Sequence, residues 1–448
     1  MRVLKFGGTS VGKPERMHAI AQLINDGVEK VVVLSAVSGT TNSLVEIHTA
    51  YKKEGKKAAH KLIDKLEAKY HPFIQHLYDN NASIKKAQKL VEEIFGLLRS
   101  FKAKKFSEAD AKVILAQGEL LSTHLFLYYV QEIGMNATLI PALNFMKTTD
   151  GEPDLKYIAK KIRKTLVKAG KHQVYITQGY ICMNDAGEID NLRRGGSDYT
   201  ATLIGGAIPA TEIQIWTDID GMHNTDPRVV KDTFPIHELS FDEAAELAYF
   251  GAKILHPSCV LPAQKAGVPV KLLNTMEPKA KGTVISEIMT STPQRVKAIA
   301  AKDGITAIKI KSSRMLNAYG FLKKIFEVFE NHQTSIDMIT TSEVAVSLTI
   351  DDDSKLKPIL KALKTFATIE VDSAQTIICV AGEFKHTHSG IAAKVINTLQ
   401  EIHLRMISSG GSRSNISILV DSKYKVAAMN ALNEGLFADI LKQKRAMV

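Results

Sequence analysis

Lys5-Phe6-Gly7-Gly8-Thr9-Ser10-Val11-Gly12 follows a short apolar run at the start of the chain and precedes a helical pattern that begins near Pro14. Strand, glycine turn and helix in that order form a βα unit, and paired glycines let backbone N–H groups approach phosphate oxygens at the positive end of the following helix. A Gly-Gly pair alone fits an ordinary βα turn. Lys5 on the entering strand makes a phosphate site the better reading, because its ammonium can face a phosphoryl group in transfer. The loop has neither the Gly-x4-Gly-Lys-Ser/Thr spacing of a P-loop nor that of a dinucleotide fingerprint, so it belongs to another class of phosphate binder.

Working outward, Val31 to Leu34, Gln173 to Ile176 and Ile213 to Trp216 are further strand candidates. They alternate with longer helical patterns as far as about Ser286, the mark of an α/β domain with a mainly parallel sheet. Asn191-Leu192-Arg193-Arg194-Gly195-Gly196-Ser197-Asp198-Tyr199-Thr200 is a second glycine turn, with a helix predicted from Tyr199 to Ala207. An arginine there can bind a carboxylate bidentately, Ser197 can cap the helix while touching ligand, and Asp198 can orient a lysine or a metal ion. Trp216 through Arg228 reads as a strand-to-loop nucleotide cradle; its aspartates lack the spacing of a calcium loop. Phe250-Gly251-Ala252-Lys253-Ile254-Leu255-His256-Pro257 closes a helical run from Phe241 to Tyr249. Lys253 suits either a nucleotide or the helix dipole, and His256 reads as structural.

The 448 residues, at about 150 per domain, suggest about three domains. A composition of 45% hydrophobic and 23% charged residues is that of a globular protein with a sizeable core. No run approaches the roughly 18 consecutive apolar residues of a membrane span, and the N-terminus has no signal-like apolar region. Cys182, Cys259 and Cys379 are odd in number and far apart, so neither a disulfide framework nor a thiolate zinc site is indicated and a cytoplasmic location is expected. The formal charge is +11, but residues 51–105 alone carry 14 Lys+Arg against 6 Asp+Glu, a net +8. There the apolar residues fall three and four apart, so the lysines read as the wet face of amphipathic helices rather than a nucleic-acid surface.

After a polar linker at 287–297, Thr306, Ile308, Gly320, Lys324, Ser342 and Ser347 recur 70 residues later as Thr376, Ile378, Gly390, Lys394, Ser412 and Ser417. Two related modules follow, each a strand, a Gly-started helix and a strand-turn-strand, half of a ferredoxin-like βαββαβ unit.

Taken together, these motifs resemble those of the aspartate kinases. The resemblance covers the whole chain and implies an amino acid kinase domain at 1–286, a linker at 287–297, and two ferredoxin-like ACT domains at 298–372 and 373–448 that exchange a first strand. It implies ATP-dependent phosphorylation of the aspartate side-chain carboxylate, the first step toward lysine, threonine and methionine, with Mg²⁺ accompanying ATP and no resident metal site. Carried over, L-aspartate is placed against Thr41, Glu119, Arg194, Gly195, Gly196 and Ser197. ATP is placed against Lys5, Gly7, Gly8, Thr217, Asp218, His223, Arg228 and Lys253, and Asp198 helps Lys5 to orient the phosphates. Arg193 and His223 depart from the glycine and tyrosine of the family pattern.

The resemblance further implies an amino-acid effector, lysine ahead of threonine, at Met315, Ala318, Phe321, Leu322, Ser335, Ile336, Asp337, Ser342 and Glu343. Asp337 and Glu343 are expected to hold the two ammonium groups of lysine. A homodimer or homotetramer through the ACT domains is expected, in the monofunctional form, with no nucleic-acid or membrane partner. Two rival readings are a kinase of glutamate, acetylglutamate or a nucleotide, and a catalytically silent amino-acid sensor.

Overall fold

The computed structural model describes residues 1–192, 195–251, 256–287, 295–312, 319–384 and 389–446. They form two compact units, the first built from 1–222, 237–241 and 255–289, the second from 223–236, 242–254 and 290–448.

The first unit holds an eight-stranded sheet of β1 (Arg2–Phe6), β2 (Lys30–Leu34), β3 (Ala137–Leu139), β4 (Val174–Gln178), β5 (Ile213–Thr217), β6 (Glu238–Leu239), β7 (Val270–Asn274) and β8 (Thr283–Ile285). Its order is β6-β8-β7-β5-β1-β2-β4-β3. All neighbours pair in parallel except β7 and β8, so only β6 and β8 run against the rest. The central strands are nearly continuous apolar runs because both faces are covered. Leu4, Phe6, Val32, Leu34 and Ile176 join one core with α1 (Pro14–Ile24), α2 (Thr40–Lys53), α3 (Lys56–Leu77), α4 (Asn81–Ser100) and α5 (Glu108–Glu132). Across the sheet, α7 (Gly196–Ala207) packs on β1, β2 and β5, flanked by α6 (Leu155–Ala169) and α9 (Pro257–Ala266).

The lysine-rich segment is helical, as its period requires. Ile63, Leu66, Tyr70 and Ile74 of α3 and Val91, Ile94, Phe95 and Leu98 of α4 are buried, while Lys61, Lys65 and Lys69 face out. The helix α5 has the length and mean hydropathy of a membrane span. In this fold 67% of that window is buried among its neighbours, and the window carries Glu119. It is a core helix, held at its start by a reciprocal Ser107–Asp110 capping box.

The second unit contains β9 (Val296–Lys311), β10 (Ile339–Thr341), β11 (Ala345–Ile350), β12 (Thr368–Gly382), β13 (Leu404–Ser409) and β14 (Asn415–Asp421), in the order β10-β11-β9-β12-β14-β13. Its helices are α8 (Phe241–Tyr249), α10 (Phe321–Asn331), α11 (Leu356–Leu363), α12 (Ile391–Thr398) and α13 (Lys425–Ala446). The 70-residue repeat is visible in three dimensions, for Gly320 and Gly390 are the N-caps of α10 and α12, and Ser347 and Ser417 sit on β11 and β14. The strands β9 and β12 are long enough to serve both modules. Thr306–Lys311 of β9 pairs with β11, whereas Val296–Lys302 pairs only with the Ile377–Gly382 end of β12, beside β14.

Candidate active site

In an open parallel sheet, ligands bind beyond the carboxyl ends of the strands. The candidate residues of the first unit gather there. Side chains alternate along β1, so with Leu4 and Phe6 turned toward α1–α5, Lys5 turns to the α7 face. Its ammonium forms an ion pair with Asp198 in the first turn of α7 (Nζ–Oδ1 2.5 Å) and lies against Gly7. Gly7 gives its own N–H to the Trp216 carbonyl (3.3 Å), which fastens the loop to the end of β5 and leaves Gly8 and Thr9 as the next donors along it.

The helix starts earlier than its sequence suggests. Its N-cap is Gly195, at φ +68°, and Ser197 lies inside the first turn instead of capping it. A side chain at Gly195 would be both strained and blocked, since a Cβ would fall 1.9 Å from the Cys259 sulfur. Burial pushes that thiol up to about 12, with the Asp198 charge adding to the effect, so Cys259 serves as packing. The Ser197 hydroxyl accepts a hydrogen bond from Ser35 at the end of β2 (2.9 Å). Gly179, after β4, permits that approach; a Cβ there would come within 2.3 Å of Ser197 Oγ.

Glu119 enters from the middle of α5. One carboxylate oxygen accepts from the Ala36 N–H (3.2 Å), and the other is buried with no hydrogen-bond partner among the described residues. Burial raises its pKa to about 8, against the pull of the backbone hydrogen bonds. Ser35 and Ala36 are adjacent, so Glu119, Ser197, Asp198 and Lys5 form one connected group. Thr41 stands half-buried in the first turn of α2, whose preceding residue, Thr40, bonds Tyr70 of α3 (2.6 Å). Three participants were not singled out in the sequence: Ser35, Gly179 and Tyr180. Tyr180 takes φ +67°, rare for a bulky residue, with its N–H on Thr200 of α7 (3.0 Å). Only that strain distinguishes it, and strain is not written in a dipeptide.

On the nucleotide side, Thr217 ends β5 and bonds the Asp218 carboxylate (3.1 Å). The Thr217 carbonyl accepts from the Thr275 N–H (2.8 Å), and the Thr275 hydroxyl meets that of Ser10 (2.7 Å), so the two loops are stitched together. His223 and Arg228 belong to the second unit. His223 Nδ1 lies 2.9 Å from the Thr233 hydroxyl, and exposed Arg228 grips Asp226 through two hydrogen bonds of 2.9 and 2.7 Å. That guanidinium holds the Asp226 carboxyl below its ordinary value. His256 is structural, its Nδ1 accepting from the Ser258 N–H at the start of α9. Arg193, Arg194 and Lys253 lie outside the described residues, as do Met315 and Ala318.

The described effector candidates differ in burial. Phe321 is buried, whereas Leu322, Ser335, Ser342 and Glu343 are exposed and Ile336 is half-buried. The Asp337 side chain is 1% exposed and already engaged: Oδ1 receives the Lys302 ammonium (2.8 Å) and the Tyr249 hydroxyl (2.8 Å). Lys302 also reaches Asp351 (2.8 Å) and covers the Tyr249 ring. Burial pulls its pKa down, but the two carboxylates prevail and hold it above the ordinary value. Asp337 and Glu343 lie on one hairpin. Asp337 is opposite Thr349 while Glu343 is in the turn of the same hairpin, six residues further on, as much as about 20 Å at 3.3 Å per residue.

A lysine on the strand entering a glycine loop, paired to an acidic helix start at the ends of parallel strands, is the framework of a phosphoryl-transfer enzyme, here in one chain with a repeated second module. Residues 1–274 match the amino acid kinase family, and 308–365 and 378–436 match the ACT domain. The chain is 33% identical to lysine-sensitive aspartokinase 3 of Escherichia coli over 97% of its own length and 99% of that protein's. It is 34% identical to chloroplastic aspartokinase 1 of Arabidopsis thaliana, covering 97% of this chain and 80% of that one. The structure of E. coli aspartokinase III with aspartate and ADP covers 98% of this chain, is itself covered in full, and superimposes with a TM-score of 0.83 at 32% identity. The chain belongs to the aspartokinase family.

Proposed function

We propose that the chain transfers the γ-phosphoryl group of ATP to the side-chain carboxylate of L-aspartate, giving 4-phospho-L-aspartate, and is inhibited by lysine. The observation that carries the catalytic reading is the linked group of Lys5, Asp198, Ser197 and Glu119. It sets an ammonium against a glycine loop and, a short chain of contacts away, a buried carboxylate oxygen in need of a cation. The α-ammonium of aspartate satisfies Glu119, while Arg194, Ser197 and Thr41 receive its carboxylates. Lys5 faces the transferring phosphoryl group, with Asp198 fixing the ammonium. Catalysis of this kind is positioning plus charge stabilisation and needs no base, because the nucleophile is an ionised carboxylate.

The donor set suits Mg²⁺ that arrives on ATP. Among the described residues no group of three or more metal-ligating side chains occurs, and Asp198 is a hard oxygen ligand of the type Mg²⁺ accepts alongside phosphates. When bound, the ion neutralises charge on the β- and γ-phosphates. The test is a coupled ADP-release assay with L-aspartate, glutamate and acetylglutamate compared in one series. Activity confined to either of the last two would overturn the reading, and no turnover at all would favour a sensor.

Lysine is the effector because Asp337 and Glu343 match a diamino ligand in charge; E. coli aspartokinase III has been crystallised with lysine and aspartate. Asp337 is held by Lys302, so an incoming ammonium competes with an internal one. Asp337→Asn keeps the shape and removes the charge. It is expected to raise the lysine concentration for half-inhibition about tenfold, near 1.4 kcal/mol, measured against the variant's own uninhibited rate. Unaltered inhibition would move lysine elsewhere, and inhibition of the wild type by threonine alone would reject the effector.

A homo-oligomer held by the C-terminal repeats is expected. Leu322 and Phe326 on α10 are exposed apolar side chains that a second copy can cover. Light scattering at micromolar concentration is expected to give a dimer or larger, and a strict monomer would contradict it.

A further inference from the structure

The segment that carries His223 and Arg228 is gripped by the last helix of the chain. Asn224 and Asn433 are 209 positions apart, and both are buried, at 0% and 1% exposure. Each amide has its oxygen and its nitrogen hydrogen-bonded. Asn224 Nδ2 donates to Asn433 Oδ1 (2.6 Å), Asn433 Nδ2 donates to the Asp232 carbonyl (2.8 Å), and Asn224 Oδ1 accepts from the Phe234 N–H (2.9 Å). Further along α13, the Lys444 ammonium donates to the Thr233 carbonyl (2.6 Å) and Arg445 pairs with Asp232 (2.6 Å). The helix leaves regular geometry at Phe437 (φ −117°, ψ 19°), whose ring packs edge-on against Phe234 at 5.3 Å. Val230, Leu432, Leu436 and Phe437 share one core.

Polar groups buried to this degree are costly unless satisfied, and a satisfied pair specifies one arrangement. This one spans residues 224–234, the loop on which Arg228 is displayed and from which Thr233 reaches back to His223. We propose that Asn433 is a positioning residue for the nucleotide: through Asn224 and the Asp232 carbonyl, the terminal helix holds the 223–234 loop in the conformation that binds ATP. The proposal rests on the reading of His223 and Arg228 as nucleotide contacts. The same helix, α13, packs against α12 of the second repeat.

The test is steady-state kinetics on the full chain with ATP and aspartate varied separately. Asn433→Ala strands the buried Asn224 amide and removes the donor to the Asp232 carbonyl, so the KM for ATP is expected to rise about tenfold. The KM for aspartate is expected to stay within about twofold, because Glu119 and Ser197 are untouched. Lys444→Ala removes only a surface-reaching donor, folds readily, and is expected to raise the ATP KM about threefold in the same selective way. Asn433→Asp retains the acceptor for Asn224 and is expected to fall between wild type and Asn433→Ala. Unchanged ATP KM in Asn433→Ala and Lys444→Ala overturns the proposal, as does a parallel rise of both KM values with a lowered melting temperature. Arg228→Ala, run alongside, separates the two levels. A raised ATP KM in Arg228→Ala with none in the Asn433 and Lys444 variants rejects the positioning role alone. An unchanged ATP KM in Arg228→Ala rejects the nucleotide reading and the proposal with it.

Discussion

Replacing Lys5 by alanine is expected to lower kcat about 10²-fold or more while the protein still folds, since one preorganised donor to developing charge is typically worth that much. Lys5 is 8% exposed and its ammonium is compensated by Asp198, so the wild-type site presents a near-neutral pair beside the glycine loop. Alanine leaves the Asp198 carboxylate uncompensated where the phosphates of ATP must approach, so nucleotide affinity is expected to fall as well. Lys5→Met keeps the aliphatic stem packed against the sheet and isolates the charge. Both variants are to be compared at saturating ATP and aspartate, with thermal melts to establish folding. Wild-type turnover in either would remove Lys5 from the chemistry.

The second large effect is expected at Glu119. Glu119→Gln should reduce kcat/KM for aspartate by about 10² to 10³, the range for truncating one partner of a buried, hydrogen-bonded charge pair. The raised pKa adds a pH signature with a definite sign. Without substrate, the carboxyl is mostly protonated below about 8, and a bound ammonium favours the ionised form. The wild-type KM for aspartate is therefore expected to fall as pH rises from 6 toward 8, and this slope should vanish in Glu119→Gln. Stability runs the opposite way. The folded state keeps a proton that the unfolded chain, at its ordinary 4.5, has released, so this contribution is complete below 4.5 and is lost as pH rises to about 8. Ligand-free Glu119→Gln should lack that loss, which melting temperatures at pH 5 and pH 8 would read. A KM that ignores both pH and substitution would take Glu119 out of the substrate site.

Much of this protein was legible in its residues. The Lys5 loop, the Arg-Gly-Gly-Ser-Asp turn and the 70-residue repeat each bind chemistry to a local conformation, and local conformation is what a short stretch of residues determines. Lys5 had to face α7 because side chains alternate along a strand, and the lysines of α3 had to face water because its apolar residues recur at helical spacing. What only the tertiary structure decided is which distant groups meet. Ser35 reaches Ser197, Lys302 claims the carboxylate of Asp337, and Asn433 secures Asn224, each across 35 to 209 positions. Such pairings depend on strand order, on the stacking of helices over the sheet, and on where burial removes water from a polar group. A carboxylate written in the sequence carries a charge; whether that charge is spoken for depends on the neighbours the fold brings within hydrogen-bonding distance.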